Sequence, residues 1–435
     1  MSDATFTCPD LTSFCRLDGL GLEVTGQRIE PDRAILACRP VDADDWCRDC
    51  GGQGLIRGSV VRLLSHVPLG WRPTVLHVRL RRYRCIECGR VWRQDTSAAA
   101  EPRSKLSRAA LRWGLEGLVV QHLSMSRIAA GLDVAWNTAN DAVLAEGQRV
   151  LISDLARFDG VKVIGVDEHC WRHTRHGEKY VTVIIDLTPT RDGTGPARLL
   201  DMVEGRSKQV FKTWLAARPR AWRKGIEVVA MDGFTGYKTA AVEELGNATT
   251  VMDPFHVVRL AGEALTRCRQ RVQQDTCGHR GRAGDPLYRA RRTLLTGVDL
   301  LTDKQVARLE ALFADEQHTE VYATWSIYQR LVVAYRNPDK QLGRFLLQGV
   351  IDSVSTGVPR DLVELVSLGR TLHRRAADVL AFFDRPGTSN GPTEAINGRL
   401  EHLRGIALGF RNLTHYIARS LLETGGFKPH LHPAL

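Results

Sequence analysis

The feature that most narrows the possible folds is a set of apolar runs between residues 161 and 232, three of which end in an acid. Val161 to Val166 leads into Asp167 and Glu168, Tyr180 to Ile185 ends at Asp186, Ala197 to Val203 follows, and Ile226 to Met231 ends at Asp232. Short runs rich in Val and Ile read as buried strands. Lys208 to about Ala217 reads as a helix, and Thr249 to Asp253 as a short fifth strand entering another helix. The order is therefore strand, strand, strand, helix, strand, helix. A two-residue period puts Gly165 on the face of Asp167 and Ala230 on the face of Asp232, so small residues leave room beside each acid.

That order is the order of an RNase H-like mixed sheet, in which the first and fourth strands are neighbours and both aspartates open on one site. A third acid must come from a later helix. The best candidate is Glu394, in the stretch Ser389 to Asn397. Pro392 suits a first helical position, with Asn390 or Gly391 as cap. Glu394 then lies in the first turn, and Asn397 shares its face one turn later. Three carboxylates suit magnesium, which takes oxygen ligands. Two such ions about 3.5–4 Å apart activate water and stabilise the leaving 3′ oxygen of an in-line phosphodiester displacement. Taken singly, each residue has a plainer reading: acids at strand ends are often only solvated, and a Glu in a first turn often only complements the helix dipole.

Asp232 and Glu394 lie 162 positions apart, more than a compact core needs, and residues 257–385 between them read as helical and rich in Arg and Leu. The sequence thus divides into an α/β stretch over 161–256, a helical stretch over 257–385 and a final stretch over 386–435 that carries the third acid. The net charge is +11, which favours a polyanionic partner, nucleic acid before membrane. Arginines crowd the start of the insertion. Arg267, Arg271, Arg280 and Arg282 are candidate phosphate contacts, with Arg269, Arg289, Arg291 and Arg292 beside them. A solvated helix face would look the same. His169, His173 and His176 follow the first acid and read as part of a solvated hairpin. No apolar run reaches membrane-spanning length and the N-terminus lacks the regions of a signal peptide, so a cytoplasmic protein is expected.

Seven of the ten cysteines precede residue 90. Cys47, Cys50 and Gly51 form one C-x-x-C-G knuckle, and Cys85, Cys88 and Gly89 a second; 34 residues separate the two. Four thiolates at this spacing make a structural zinc site, with room for an inserted hairpin; two buried inert pairs are the alternative. Cys8, Cys15 and Cys38 have no such partners, and Cys277 with His279 lacks a second pair. A zinc-binding domain is expected over 1–97 and a helical DNA-binding domain over 105–150. Within the latter, Ser124 to Ala139 has the punctuation of a helix-turn-helix. Ile128 and Ala129 pack the first helix, Gly131 permits the turn, and Trp136, Asn137 and Thr138 open a second helix that reaches base edges. An αα-hairpin in a plain bundle would carry the same pattern.

Taken together, these residues resemble the bacterial insertion-sequence transposases of the ISL-three type, a DDE family with an N-terminal zinc finger, over nearly the whole chain. The resemblance rests on the paired knuckles and on Ser126 to Val143. It rests also on Gly165 to Glu168 with Tyr180 to Val183, on Ala230 to Tyr237, on Asp253 to His256 as a D-x-x-H signature, and on Ser389 to Asn397 followed by Gly409 to Asn412. It implies that 161–256, 257–385 and 386–435 are a core, its insertion and the core's C-terminal part. It implies a transposase acting on double-stranded DNA, at transposon ends and at the target, as a homodimer or higher oligomer in the bacterial cytoplasm near the nucleoid. It also implies two magnesium ions, replaceable by manganese, on Asp167, Asp232 and Glu394, and a structural zinc. Asp253, His256 and Asn397 become secondary residues near that site. A domesticated DNA-binding regulator with vestigial acids, and a zinc-bearing nuclease of the same fold, are the competing functions.

Overall fold

The computed structural model describes residues 9–174 and 177–431. Cys8 and His176 lie outside the described residues. The chain divides into two units, residues 1–157 with 403–435, and residues 158–402.

The first unit holds a five-stranded sheet: β1 (Leu22–Ile29), β2 (Ala34–Pro40), β3 (Gly54–Leu69), β4 (Arg72–Cys85) and β5 (Val91–Arg93), in the order β1-β2-β4-β3 with β5 on β4. β2 and β4 are parallel, whereas β3 and β4 form a long antiparallel hairpin between the two knuckles. Alternation fixes its faces: Thr74, Leu76, Val78 and Leu80 are buried while Arg79 and Arg81 face solvent. The sheet core gathers Leu22, Leu36, Leu64, Leu76 and Val78.

Three helices follow in this unit: α1 (Arg108–Val119), α2 (Met125–Gly131) and α3 (Trp136–Gly147). Ser107 caps α1 and Ser124 caps α2, each hydroxyl accepting a backbone amide of the first turn. Ile128 is fully buried and Ala129 nearly so, as the helix pattern requires. The turn differs from expectation. Gly131 ends α2 and is set by packing, since a Cβ there would lie 2.8 Å from the Trp113 ring. The left-handed residue is Asp133, at φ 51°, a position that Asp tolerates better than most side chains.

The second unit is built on a mixed sheet of order β10-β9-β6-β7-β8. Its strands are β6 (Val163–Cys170), β7 (Tyr180–Asp186), β8 (Arg198–Glu204), β9 (Val228–Met231) and β10 (Thr249–Met252). β6, β7 and β8 are antiparallel neighbours, and β6, β9 and β10 run parallel. β9 is buried along its whole length, which explains its continuous apolar run. The helices α4 (Lys208–Ala216) and α5 (Thr235–Leu245) cover one face through Phe211, Trp214, Leu215 and Tyr237. Burying each such side chain contributes about 1.5–3 kcal/mol.

Beyond β10 the chain is helical: α6 (Pro254–Cys277), α7 (Asp303–Phe313), α8 (Thr319–Arg336), α9 (Lys340–Thr356), α10 (Val363–Arg374) and α11 (Ala376–Asp384) share one apolar core. α12 (Gly391–Ile406) then carries Glu394, and α13 (Leu413–Thr424) follows. Residues 386–435 do not all stay with the core as expected. From Leu403 onward they group with the first unit, where Leu422 meets Gly147 and Glu423 pairs with His122 at 2.6 Å. Among the described residues, no helix is long and apolar enough to cross a membrane.

Candidate active site

Asp167 lies in the middle of β6, which runs on to Cys170 instead of ending at the acid as expected, just past the stretch paired with β9, and Asp232 follows β9 directly. The two strands are parallel neighbours, with Gly165 opposite Ala230 and Val166 opposite Met231, so both acids emerge at the same sheet edge. Each carboxylate accepts a nearby backbone amide: Glu168 N to Asp167 Oδ1 at 2.8 Å, and Phe234 N to Asp232 Oδ1 at 2.8 Å.

Glu394 lies in the first turn of α12. The base of this helix is seated on β6 because position 165 is glycine: a Cβ there would lie 2.5 Å from Thr393 Oγ1 and 3.2 Å from Asn390 Oδ1. Asn397, one turn after Glu394, donates from Nδ2 to Asp167 Oδ2 at 3.0 Å. Asp253 caps α6 through Phe255 N at 3.0 Å and also accepts Asn390 N at 2.7 Å, tying the start of α12 to the end of β10. Ligand atoms of Asp253, His256 and Glu394 lie within 4.8 Å of one another. Asp167 and Asp232 are not part of so tight a group among the described residues.

Burial pushes the Asp167 carboxyl up to about 7 against the pull of the Glu168 amide, and the negative charges of Asp232, Glu168 and Glu394 act in the same direction as burial. Burial likewise pushes the Tyr237 phenol up, with Asp232 and Asp167 adding to the effect, so its hydroxyl stays protonated. A partly buried carboxylate raised by its acidic neighbours is short of positive charge, which suits an oxygen-ligated divalent cation. Glu168 points away and pairs with Arg206 at 3.0 Å, as strand alternation implies.

Several polar atoms around the base of α12 are buried without a hydrogen-bond partner: His256 Nδ1, both amide atoms of Asn390, Thr393 Oγ1 and Asn397 Oδ1. Such groups are costly unless they serve placement or a ligand. Sequence reasoning took Asn390 as a candidate cap, but its side chain makes no capping bond, and it passed over Thr393, although both stand within the block that suggested Glu394. His169 is buried on β6, and His173 lies beside Cys170 at 3.8 Å.

In the first unit the four knuckle sulfurs lie within 4.8 Å of one another, with Cys47 to Cys88 at 3.6 Å and Cys50 to Cys85 at 3.4 Å. A zinc tetrahedron with bonds of about 2.3 Å has edges of about 3.8 Å, so the cluster fits that ion. Gly51 and Gly89 take φ 73° and 74°, the left-handed turn each knuckle needs.

The remaining site residues separate by environment. Trp136 and Asn137 at the start of α3 are exposed and Thr138 is half-buried. Arg267, Arg280 and Arg282 are exposed. Arg271 is a correction: its guanidinium donates to both oxygens of Glu364 at 3.0 Å and also pairs with Glu320, so it is committed within the fold. Arg269 is buried as well.

The chain thus combines a mixed sheet with acids beside adjacent parallel strands, a late helix that carries Glu394 and a four-cysteine cluster that fits a metal ion. The family follows from comparison. The model for DDE transposases of the ISL3 type, described as transposase, matches residues 164–420, and the chain belongs to that family. Among its relatives is the transposase for insertion sequence element IS1557 of Mycobacterium tuberculosis, 24% identical over 337 residues, which cover 72% of each chain. Another is the transposase for insertion sequence element IS1001 of Bordetella parapertussis, 24% identical over 304 residues, covering 69% of this chain and 70% of the relative. Membership implies DNA as the partner, its cleavage and transfer as the activity, and a divalent metal as the cofactor.

Proposed function

We propose that this transposase binds the terminal inverted repeats of an insertion sequence, cleaves their 3′ ends and joins them to target DNA, with Asp167, Asp232 and Glu394 holding two divalent ions. The observation that carries this reading is the bond from Asn397 to Asp167. It connects the helix of the third acid directly to the strand of the first, although 230 positions separate the two residues. Magnesium, or manganese in its place, supplies activation of water and stabilisation of the leaving 3′ oxygen when bound. The chain's own groups prepare the site. Adjacent parallel strands present Asp167 and Asp232, Asn397 orients Asp167, and Asp253 anchors the start of α12 so that Glu394 faces the same edge beside His256.

In this reading residues 161–256 and α12 form an RNase H-like core, and the helices from α6 to α11 are its insertion. The helices α2 and α3 act as a helix-turn-helix, with Trp136, Asn137 and Thr138 offered to base edges. Arg267, Arg280 and Arg282 contact phosphates, so affinity falls steeply with salt. The four-cysteine cluster holds a structural zinc, and the protein works on DNA as a homodimer or higher oligomer. A regulator with vestigial acids would not need this placement of the three acids.

The test uses the full chain and a plasmid carrying its gene with the flanking sequence. Asp167→Asn, Asp232→Asn and Glu394→Gln each keep shape while removing a charge. Each should lose nearly all manganese-dependent strand cleavage and joining, while affinity for the plasmid stays at the parental level. A Glu394→Gln protein that cleaves at the parental rate would sink the triad.

A further inference from the structure

The loop that carries Asp232 is gripped from the opposite side by a buried ion pair on the helical insertion. Arg375, immediately before α11, donates from Nε to Asp378 Oδ2 at 2.5 Å and from Nη1 to the carbonyl of Gly233 at 3.1 Å. That carbonyl belongs to the Gly233–Phe234 peptide, whose amide is the one that donates to Asp232 Oδ1 at 2.8 Å. Asp378 is held in turn by Thr250 Oγ1 on β10 at 2.7 Å and Lys238 Nζ on α5 at 2.8 Å. Arg375 and Asp378 are 4% and 2% exposed, so the ion pair itself is buried.

The geometry points to Arg375 as a positioning residue for Asp232, acting through a single peptide group; this rests on the reading of Asp232 as a metal-holding acid. A peptide is planar, with its C=O and N–H on opposite sides. Fixing the carbonyl on Arg375 therefore fixes the direction in which the Phe234 amide points, and with it Asp232 Oδ1. A charged donor on the carbonyl also polarises the peptide and strengthens the amide as a donor. Arginine suits the task because its fork serves Asp378 and Gly233 at once, which a single lysine nitrogen does not. A buried ion pair adds little stability over an apolar pair of the same size, so stability alone does not account for it. The insertion is thereby a structural part of the acid site, although Arg375 lies 142 positions from Gly233.

Two variants separate placement from folding. Arg375→Lys keeps the charge facing Asp378 but gives up the bond to Gly233. The double variant Arg375→Met with Asp378→Leu removes both charges together, so neither is buried without the other, while Thr250, the partly exposed Lys238 and the Gly233 carbonyl give up their bonds to the pair. The readouts on the zinc-loaded full chain are manganese affinity, followed by loss of the free-ion paramagnetic resonance signal, thermal unfolding, and plasmid nicking against manganese concentration. Both variants should unfold near the parental temperature, bind manganese about tenfold more weakly, as expected for one lost charge-assisted bond, and need correspondingly more manganese to nick. Asp232→Asn should abolish the same binding. Parental manganese affinity in both Arg375 variants, with Asp232→Asn defective, overturns the positioning role and leaves the triad standing. Parental affinity in Asp232→Asn overturns the triad and this role with it. Loss of folding in both Arg375 variants also overturns it, because the pair would then serve folding and not placement.

Discussion

Gly165→Ala is the sharpest single-methyl test of how the third acid is placed. The added Cβ would lie 2.5 Å from Thr393 Oγ1, 3.1 Å from Leu187 Cδ1 and 3.2 Å from Asn390 Oδ1. Comfortable contacts start at about 3.5 Å, so the base of α12 would have to retreat by roughly 1 Å. Thr393 and Asn390 are fully buried, leaving no open space to absorb that shift. Overpacking of this kind costs about 1–3 kcal/mol. A displacement of about 1 Å at a reacting centre costs about 100-fold in rate. Gly165→Ala should therefore lose about 1–3 kcal/mol of stability and most of its manganese-dependent plasmid nicking, measured by urea unfolding and by gel assay on the same preparation. Thr393→Ala offers a rescue, since Thr393 Oγ1 has no hydrogen-bond partner to lose. In the double variant the two costs should fail to add by about 1 kcal/mol, and nicking should partly return. The reasoning is refuted if Gly165→Ala unfolds and nicks like the parent, because α12 would then not be seated on β6 at this glycine.

Two further outcomes are expected in the first unit. His66 on β3 is buried, which pushes its imidazole down to about 4, and its Nδ1 lies 2.9 Å from the hydroxyl of the α1 cap Ser107. The folded state holds the ring neutral, so this stability is complete above about pH 6.5 and falls by up to about 3 kcal/mol as the pH drops toward 4. Urea midpoints between pH 7 and pH 4.5 should fall less in His66→Leu than in the parent, and equal slopes would refute the assignment. Cys85→Ser removes one of four clustered thiols, so metal analysis should find about one zinc per parental chain and almost none in the variant, with β3 to β5 losing order. A parental protein purified without zinc would end that reading.

Much of this architecture was legible in the amino-acid order because it is local. Short apolar runs determined the strands, C-x-x-C-G turns determined the knuckles, and the stretch from Ser124 to Ala139 marked a pair of helices. The Ser389 to Asn397 block likewise showed a helix start with Glu394 in its first turn. Only tertiary structure decided which distant groups meet. Asp253 reaches Asn390 across 137 positions, Asn397 reaches Asp167 across 230, and Arg375 reaches Gly233 across 142. It also decided that Arg271 is consumed by Glu364 while Arg267 stays exposed, and that the chain beyond Leu403 packs with the N-terminal unit. The physical reason is that strand alternation and capping act within a few residues, whereas a guanidinium reads the same in sequence whether it faces water or a buried carboxylate. Its role is set by what packing brings alongside it.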